Sequence, residues 1–328
     1  MEKIAFISGG TFLYWSSIIM GLAVITAICA FVALYYGKSG NAVATGLMIP
    51  ICIISSLLLS RFIHWYCRTD SYASLTAAMT DYSWGGFALM GVFAACVLCA
   101  CVLRLVKVVK NLPELLDSMA LAGGAGVAVG RLASFFNTSD RGILVDESIG
   151  LPLAYPVTNA VSGLVENRLA TFFLQAIITG IVVLVLLFWY LKDRNGDRRI
   201  KDGDVCLLFL ACYGGGQILL DSTRYDSLFM RSNGFISIVQ ILGLICLVLA
   251  LVLFSVRMVR SCGFRSWFIA LWAVALAAMG LAGYMEYHVQ RHGDQALFAY
   301  SFMSLGLIII LCVTVAIRCI AEGGRRSK

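Results

Sequence analysis

Residues 169–191 read "LATFFLQAIITGIVVLVLLFWYL", an unbroken apolar run with no charged side chain. A helix of that length reaches about 34 Å, enough to cross the roughly 30 Å hydrocarbon layer of a bilayer. Inside that layer every backbone amide must be paired within its own segment, so the run reads as a transmembrane helix. The rest of the chain repeats the pattern. Of its 328 residues 60% are hydrophobic and 13% charged, and the mean hydropathy is +0.89, beyond what a water-soluble surface tolerates. Spans fall near 12–36, 43–66, 85–103, 115–136, 169–191, 205–220, 236–256, 267–287 and 297–317, about nine in all. The expected fold is an all-α polytopic membrane helix bundle. The first span lacks a basic leader and a small-residue cleavage site, so it reads as a retained helix. Nothing alternates with the period of a membrane barrel.

Lysine and arginine near span ends collect on the cytoplasmic side. With the N-terminus outside and the C-terminus inside, 16 of the 25 basic residues lie in cytoplasmic loops and tails. The formal charge of +7 then faces anionic headgroups and calls for no nucleic-acid partner. The stretch "KDRNGDRRIKDGD" (192–204) reads as a solvated hairpin between spans.

Twelve cysteines lie mostly inside apolar runs, where a free thiol behaves as a small hydrophobe. Cys96, Cys99 and Cys101 cluster, but no second group of cysteines or histidines completes a tetrahedral site, and His64, His288 and His292 have no ligand spacing. No metal or cofactor is expected.

More informative are the polar residues near the outer span ends: Arg61 and His64 in the second, Arg131 closing the fourth, Gln175 in the fifth, Asp221 and Arg224 closing the sixth. Ionisable groups at such depth are costly unless they find a partner, a cavity or the interface. Snorkelling to the headgroups accounts for any one arginine alone. Three that oppose the positive-inside trend point instead to a lipid phosphate, whose oxygens match the planar guanidinium fork. The glycines of "GGAGVAVG" (123–130) and "YGGGQ" (213–217) allow close helix approach, which ordinary packing also uses.

Several of these residues resemble the prolipoprotein diacylglyceryl transferases of bacterial plasma membranes. "GRLASFFNTSDRG" (130–142) looks like that family's signature of Gly-Arg, then Asn-Phe, then Asn-Gly-Glu and a further Gly, through Gly130, Arg131, Phe135, Asn137 and Gly142. "LPELLDSMA" places Asp117 in the family's Leu-Leu-Asp approach, and "SWGGFALMGVF" is similar to its glycine-rich third-helix entry through Gly85, Gly86 and Gly91. "LSRFIHWY" matches a Gly-Ala-Arg stretch through Arg61. "QILLDSTRYD" followed by "NGFISIVQIL" resembles the connection from the sixth to the seventh helix, with Arg224, Ser237 and Gln240 in register. The departures are Ser139 for the signature glutamate, with Asp140 beside it, Ser134 for its first Asn, Met90 for a histidine, and Gln175 and Asp221 for two glutamates.

The resemblance implies transfer of the diacylglyceryl group of phosphatidylglycerol to the lipobox cysteine thiol of a preprolipoprotein signal peptide. A thioether forms and glycerol phosphate leaves. Arg131 and Arg224 would clamp the departing phosphate, which Arg61 would join unless it only anchors its helix. Asp140 or His64 would take the thiol proton, since the thiolate is the nucleophile. Asn137, Ser139, Gly142, Gln175, Asp221 and Gln240 are the expected substrate-binding positions. The resemblance covers roughly residues 10–260, which implies a core of seven helices over 1–265, a small extracytoplasmic head at 137–168, and two additional helices with a cytoplasmic tail at 266–328. The plasma membrane is the expected location. Two other classes stay open at this point: a catalytically silent relative that binds phospholipid or signal peptide, which the lost acidic residues favour, and a small transporter, for which no internal repeat speaks.

Overall fold

The computed structural model describes residues 4–8, 11–81, 86–137, 139–146, 148–159, 162–192, 201–230, 233–292 and 295–326. Gly85, the hairpin residues 193–200, head residues 138, 147, 160 and 161, and the basic residues Lys3, Arg231 and Lys328 lie outside them. Among the described residues eight helices are long and apolar enough to cross a membrane, and a ninth apolar helix is shorter.

A hairpin of β1 (Ile4–Ser8) and β2 (Thr11–Tyr14) leads into α1 (Trp15–Phe31), which continues through a π-helical turn (Val32–Tyr36) into α2 (Gly37–Ser39). Then come α3 (Ala42–Cys67), the short α4 (Leu75–Thr80), the 17-residue α5 (Leu89–Leu105) and α6 (Leu112–Arg131). Strands β3 (Ala154–Thr158) and β4 (Val165–Leu169) pair antiparallel before α7 (Thr171–Lys192). After α8 (Asp204–Ser222), strands β5 (Phe229–Met230) and β6 (Asn233–Ser237) lead to α9 (Ile238–Cys262), α10 (Trp267–His292) and α11 (Ala296–Arg326). Each of the long helices reverses the direction of the one before. The three hairpins therefore share one end of the bundle, the end where α3, α6 and α8 finish and α7 and α9 begin.

Lipid and protein divide the apolar side chains between them. Ile25, Ile54, Leu98, Leu184 and Ile308 are more than half exposed, an apolar belt that only a bilayer would cover. Between helices, lipid tails and leucines are equally apolar, so close backbone contact does the holding. A methyl placed on Gly214 would meet the Gly243 carbonyl oxygen at 2.5 Å, and one on Gly243 would meet that of Gly214 at 2.8 Å. The α8–α9 crossing thus requires glycine on both sides.

The opposite end of the bundle is tied by charge. Asp117 on α6 accepts hydrogen bonds from the backbone amides of Gly203 and Cys206, both at 2.7 Å, and so caps the first turn of α8. Asp204, the first residue of α8, is paired with Arg257 of α9 and with Arg318 of α11, the latter at 3.1 Å. Lys38 reaches Asp202 at 3.1 Å. These contacts seat α8 before its far end builds the site.

Candidate active site

Arg131 ends α6, and the chain then tightens into a 3-10 turn (Leu132–Phe135) and a loop. Asp140 takes a left-handed φ of 57°, rare for a residue with a side chain. Its amide donates to Asp226 Oδ2 at 2.9 Å, and Ser134 Oγ donates to its Oδ2 at 3.1 Å. That turn swings the Asp140 carboxylate inward. One oxygen, Oδ1, receives Nη1 of Arg131 at 2.8 Å and Nη2 of Arg224 at 2.8 Å. Two guanidinium groups from separate helices therefore meet on one oxygen.

Arg224 is held from three sides, by Asp140, by Asp226 at 3.0 Å and by Asp221 at 3.2 Å. Asp221 is in turn fixed by the hydroxyl of Ser237. Ser237 caps α9, accepting from the Gln240 amide at 3.1 Å while its own amide donates to Gln240 Oε1 at 3.0 Å. The cap of α9 thus orients the carboxylate that orients Arg224. Gly142 forms an isolated antiparallel bridge with Arg224 and donates its amide to the Leu169 carbonyl at 2.8 Å. A methyl there would meet Thr171 Oγ1 at 2.5 Å, so the loop closes onto α7 and α8 only with glycine.

Burial alone would raise the pKa of Asp140, but the guanidinium groups of Arg131 and Arg224 outweigh it and hold the carboxyl down at about 2. For Arg224 burial opposes the charge, and Asp140 and Asp226 overcome it, lifting the pKa above the ordinary arginine value. Both partners stay ionised at neutral pH.

Gln175 of α7, four residues on from Thr171, lies deeper and donates to Gln217 of α8, six before Thr223, at 3.1 Å, while the hydroxyls of Thr171 and Thr223 pair with each other. Asn137 and Ser139 shape the loop: the Ser139 amide donates to Asn137 Oδ1 at 2.9 Å, and the Ser139 side chain faces outward.

Arg61 does not join the pair. Its Nε donates to the Ala78 carbonyl at 2.5 Å, Nη1 to Gly86 at 2.8 Å and Nη2 to Asp81, while the rings of Tyr72 and Phe87 lie 5.0 and 5.4 Å from its guanidinium carbon. These contacts tie the end of α3 to the segment that follows it, between residues 72 and 87. His64 belongs to this second cluster, its Nδ1 within 2.8 Å of the Tyr72 hydroxyl. The link between clusters is Arg68, whose Nη2 donates to the Asp226 carbonyl at 3.4 Å.

Sequence reasoning passed over Arg68, Arg141 and Asp226. Arg141 is 1% exposed, sandwiched between Tyr155 at 4.2 Å and Phe172 at 4.5 Å, with Nη2 donating to the Ser134 and Asn137 carbonyls. The available signal was the alternation of Asp221, Arg224 and Asp226 at a span end. Arg131 and Arg224 pair with the carboxylates of Asp140, Asp221 and Asp226, while Arg68 and Arg141 donate to backbone carbonyls beside them.

The sequence model of prolipoprotein diacylglyceryl transferase matches residues 3–256 of this chain. Relatives named phosphatidylglycerol--prolipoprotein diacylglyceryl transferase include one from Finegoldia magna, 23% identical over 80% of this chain and 99% of its own length. One from Streptococcus equi subsp. zooepidemicus is 24% identical over 77% of this chain and 93% of its own, and one from a Nostoc species 26% identical over 58% and 68%. The family match takes in the whole segment that builds the paired arginines, from the first hairpin to the body of α9, and the chain belongs to the prolipoprotein diacylglyceryl transferase family.

Proposed function

We propose that this chain transfers the diacylglyceryl group of phosphatidylglycerol to the thiol of a lipobox cysteine in a preprolipoprotein signal peptide. The thiolate attacks the phosphate-bearing carbon of the diacylated glycerol, the C–O bond there breaks with its electron pair leaving on the phosphate oxygen, and a thioether forms while the headgroup glycerol departs as glycerol phosphate. The observation that supports this reading is the meeting of Arg131 and Arg224 on one carboxylate oxygen, each at 2.8 Å. The reactant phosphodiester carries one negative charge and the departing monoester approaches two. Fixed guanidinium groups therefore favour the transition state over the bound lipid.

Asp140 holds the two arginines in register. It is a poor acceptor for the thiol proton. So long as the two arginines hold it, its carboxyl stays well below the ordinary carboxylate range and binds a proton weakly. We assign proton acceptance to His64. Asp221 and Gln240 serve by fixing Arg224, Gly142 by closing the loop, Asn137 and Ser139 by shaping it, and Gln175 by setting the depth of α7 against α8. With the paired arginines outside, the N-terminus is extracytoplasmic, the C-terminus is cytoplasmic, and the enzyme sits in the bacterial plasma membrane.

The test is to supply purified protein with phosphatidylglycerol vesicles and a lipobox peptide. A peptide heavier by one diacylglyceryl group is expected. Binding of phosphatidylglycerol without any lipidated peptide would defeat the catalytic reading and leave a silent binder. A second expectation concerns Arg61. Arg61→Met strips three backbone carbonyls of their donor, which should cost about 3 kcal/mol and lower the thermal midpoint in detergent. Transfer per folded molecule should stay within about threefold of wild type. A loss as deep as that of the Arg131 variants, without unfolding, would return Arg61 to the clamp.

A further inference from the structure

The family match ends at residue 256, so α10 and α11 lie beyond it. Helix α11 nevertheless touches the site-bearing helix at both ends. Near its start the hydroxyl of Tyr300 donates to the Ser222 carbonyl at 3.2 Å. Ser222 is the last residue of α8 and the neighbour of Asp221. Its carbonyl is among the last four of the helix, which have no partner within it. Near the other end Nε of Arg318 binds Asp204, the first residue of α8, at 3.1 Å.

Tyr300 and Arg318 stand as far apart in sequence as Asp204 and Ser222, about 27 Å along either helix. The two antiparallel helices are thus pinned at matching ends, and between the pins Leu311 packs beside Gly215. The brace is itself stiffened. A methyl on Gly306 would meet the Ala278 carbonyl oxygen at 2.8 Å, so α10 and α11 are in backbone contact, and Trp272 of α10 donates to Ser255 of α9 at 3.1 Å. Met303, Ile310, Thr314 and Ile317 are all at most 1% exposed, so the face of α11 between the pins is closed to lipid.

We propose that α10–α11 is a brace that fixes α8 in register and thereby places Arg224, with Tyr300 as its positioning residue; the catalytic part of this inference rests on the function proposed above. A slip of α8 by one residue moves its end by about 1.5 Å. Displacements near 1 Å at a catalytic group cost about 100-fold in rate. Tyr300 touches neither substrate nor the reacting atoms in this scheme. It acts through the Ser222 carbonyl, two residues before Arg224.

The experiment uses the full chain in phosphatidylglycerol bilayers and the variant Tyr300→Phe, which removes one hydroxyl and keeps the ring. Backbone amide exchange at residues 221–227 should quicken at least about fivefold, while exchange in α6 is unchanged. Its kcat for transfer should fall about tenfold with KM for phosphatidylglycerol unchanged within twofold. Arg318→Lys, which retains the charge facing Asp204, should keep most of the rate, and Arg318→Gln should not. Unchanged exchange at 221–227 overturns the brace whatever the transfer assay gives. Faster exchange with unchanged kcat overturns the positioning role. If the wild type itself transfers nothing, it is the function reading that has failed, and exchange alone decides the brace.

Discussion

Arg131→Ala and Arg224→Ala are each expected to lower kcat/KM for lipid transfer by at least about 1000-fold, a loss near 4 kcal/mol of transition-state stabilisation. The magnitude follows from the change of charge on the phosphate. Both guanidinium groups face one negative charge in the bound lipid and nearly two as the C–O bond opens, in surroundings where Arg131 and Arg224 side chains are 13% and 11% exposed. The loss should therefore fall mainly on kcat, with KM changing less. Arg131→Lys keeps a charge but not the fork, and should retain more activity than alanine while staying about 100-fold below wild type. Removing one guanidinium leaves Asp140 with the other, so the variants should remain folded in detergent. Transfer by Arg224→Ala at a tenth of the wild-type rate or better would remove the clamp from the mechanism.

The sequence made the bundle legible because a bilayer admits few answers. Twenty apolar residues in lipid must be helical, and the spans at 43–66 and 169–191 became α3 and α7 to within two residues at each end, while that at 236–256 became α9, which runs six residues further to Cys262. The third span starts at Leu89 rather than 85 because the chain before it is taken up elsewhere: Gly86 gives its carbonyl to Arg61, and the Ala88 amide donates to the Ser60 carbonyl at 3.1 Å. The fourth span runs to 136 in hydropathy but stops being α-helical at Arg131, where a 3-10 turn aims the loop back at the site. The outer hairpins, with strands of two to five residues, carry no periodicity long enough to read.

Of the site, what opposed the charge trend was visible and what depended on loop closure was not. Arg131 and Arg224 stood out as outward-facing arginines, and they do converge. Arg61 stood out in the same way, yet its Nε, Nη1 and Nη2 each donate to a carbonyl 17–25 residues further along the chain, an outcome of local folding that residue type does not encode. Asp226 and Asp140 are 86 residues apart, and their contact exists because the bridge between Gly142 and Arg224 brings the two loops together. The acidic residue one position after the signature glutamate reaches the arginines through a left-handed φ of 57°, which aspartate adopts more readily than most residues but which residue type alone does not place in this loop.

The second large effect concerns that aspartate. Asp140→Asn leaves Arg131 without an ionised partner among the described contacts and Arg224 with two, and unpairing a buried charge of this kind costs about 3–5 kcal/mol. The wild-type contribution has a definite pH signature. The folded-state pKa of about 2 lies below the unfolded value near 3.9, so the stabilisation is complete above about pH 4 and is lost as pH falls towards 2. Linkage puts that part at about 2–3 kcal/mol. The difference in thermal midpoint between wild type and Asp140→Asn should therefore be constant from pH 5 to 8 and narrow steadily below pH 4. Transfer tests the role from the other side. A carboxylate ionised throughout the assay range adds no limb to the pH–rate profile, so Asp140→Asn should lower the rate at every pH between 5 and 8 and leave the shape of the profile unchanged. A change in the shape of that profile in Asp140→Asn would make Asp140 the base after all, with His64 displaced from the role.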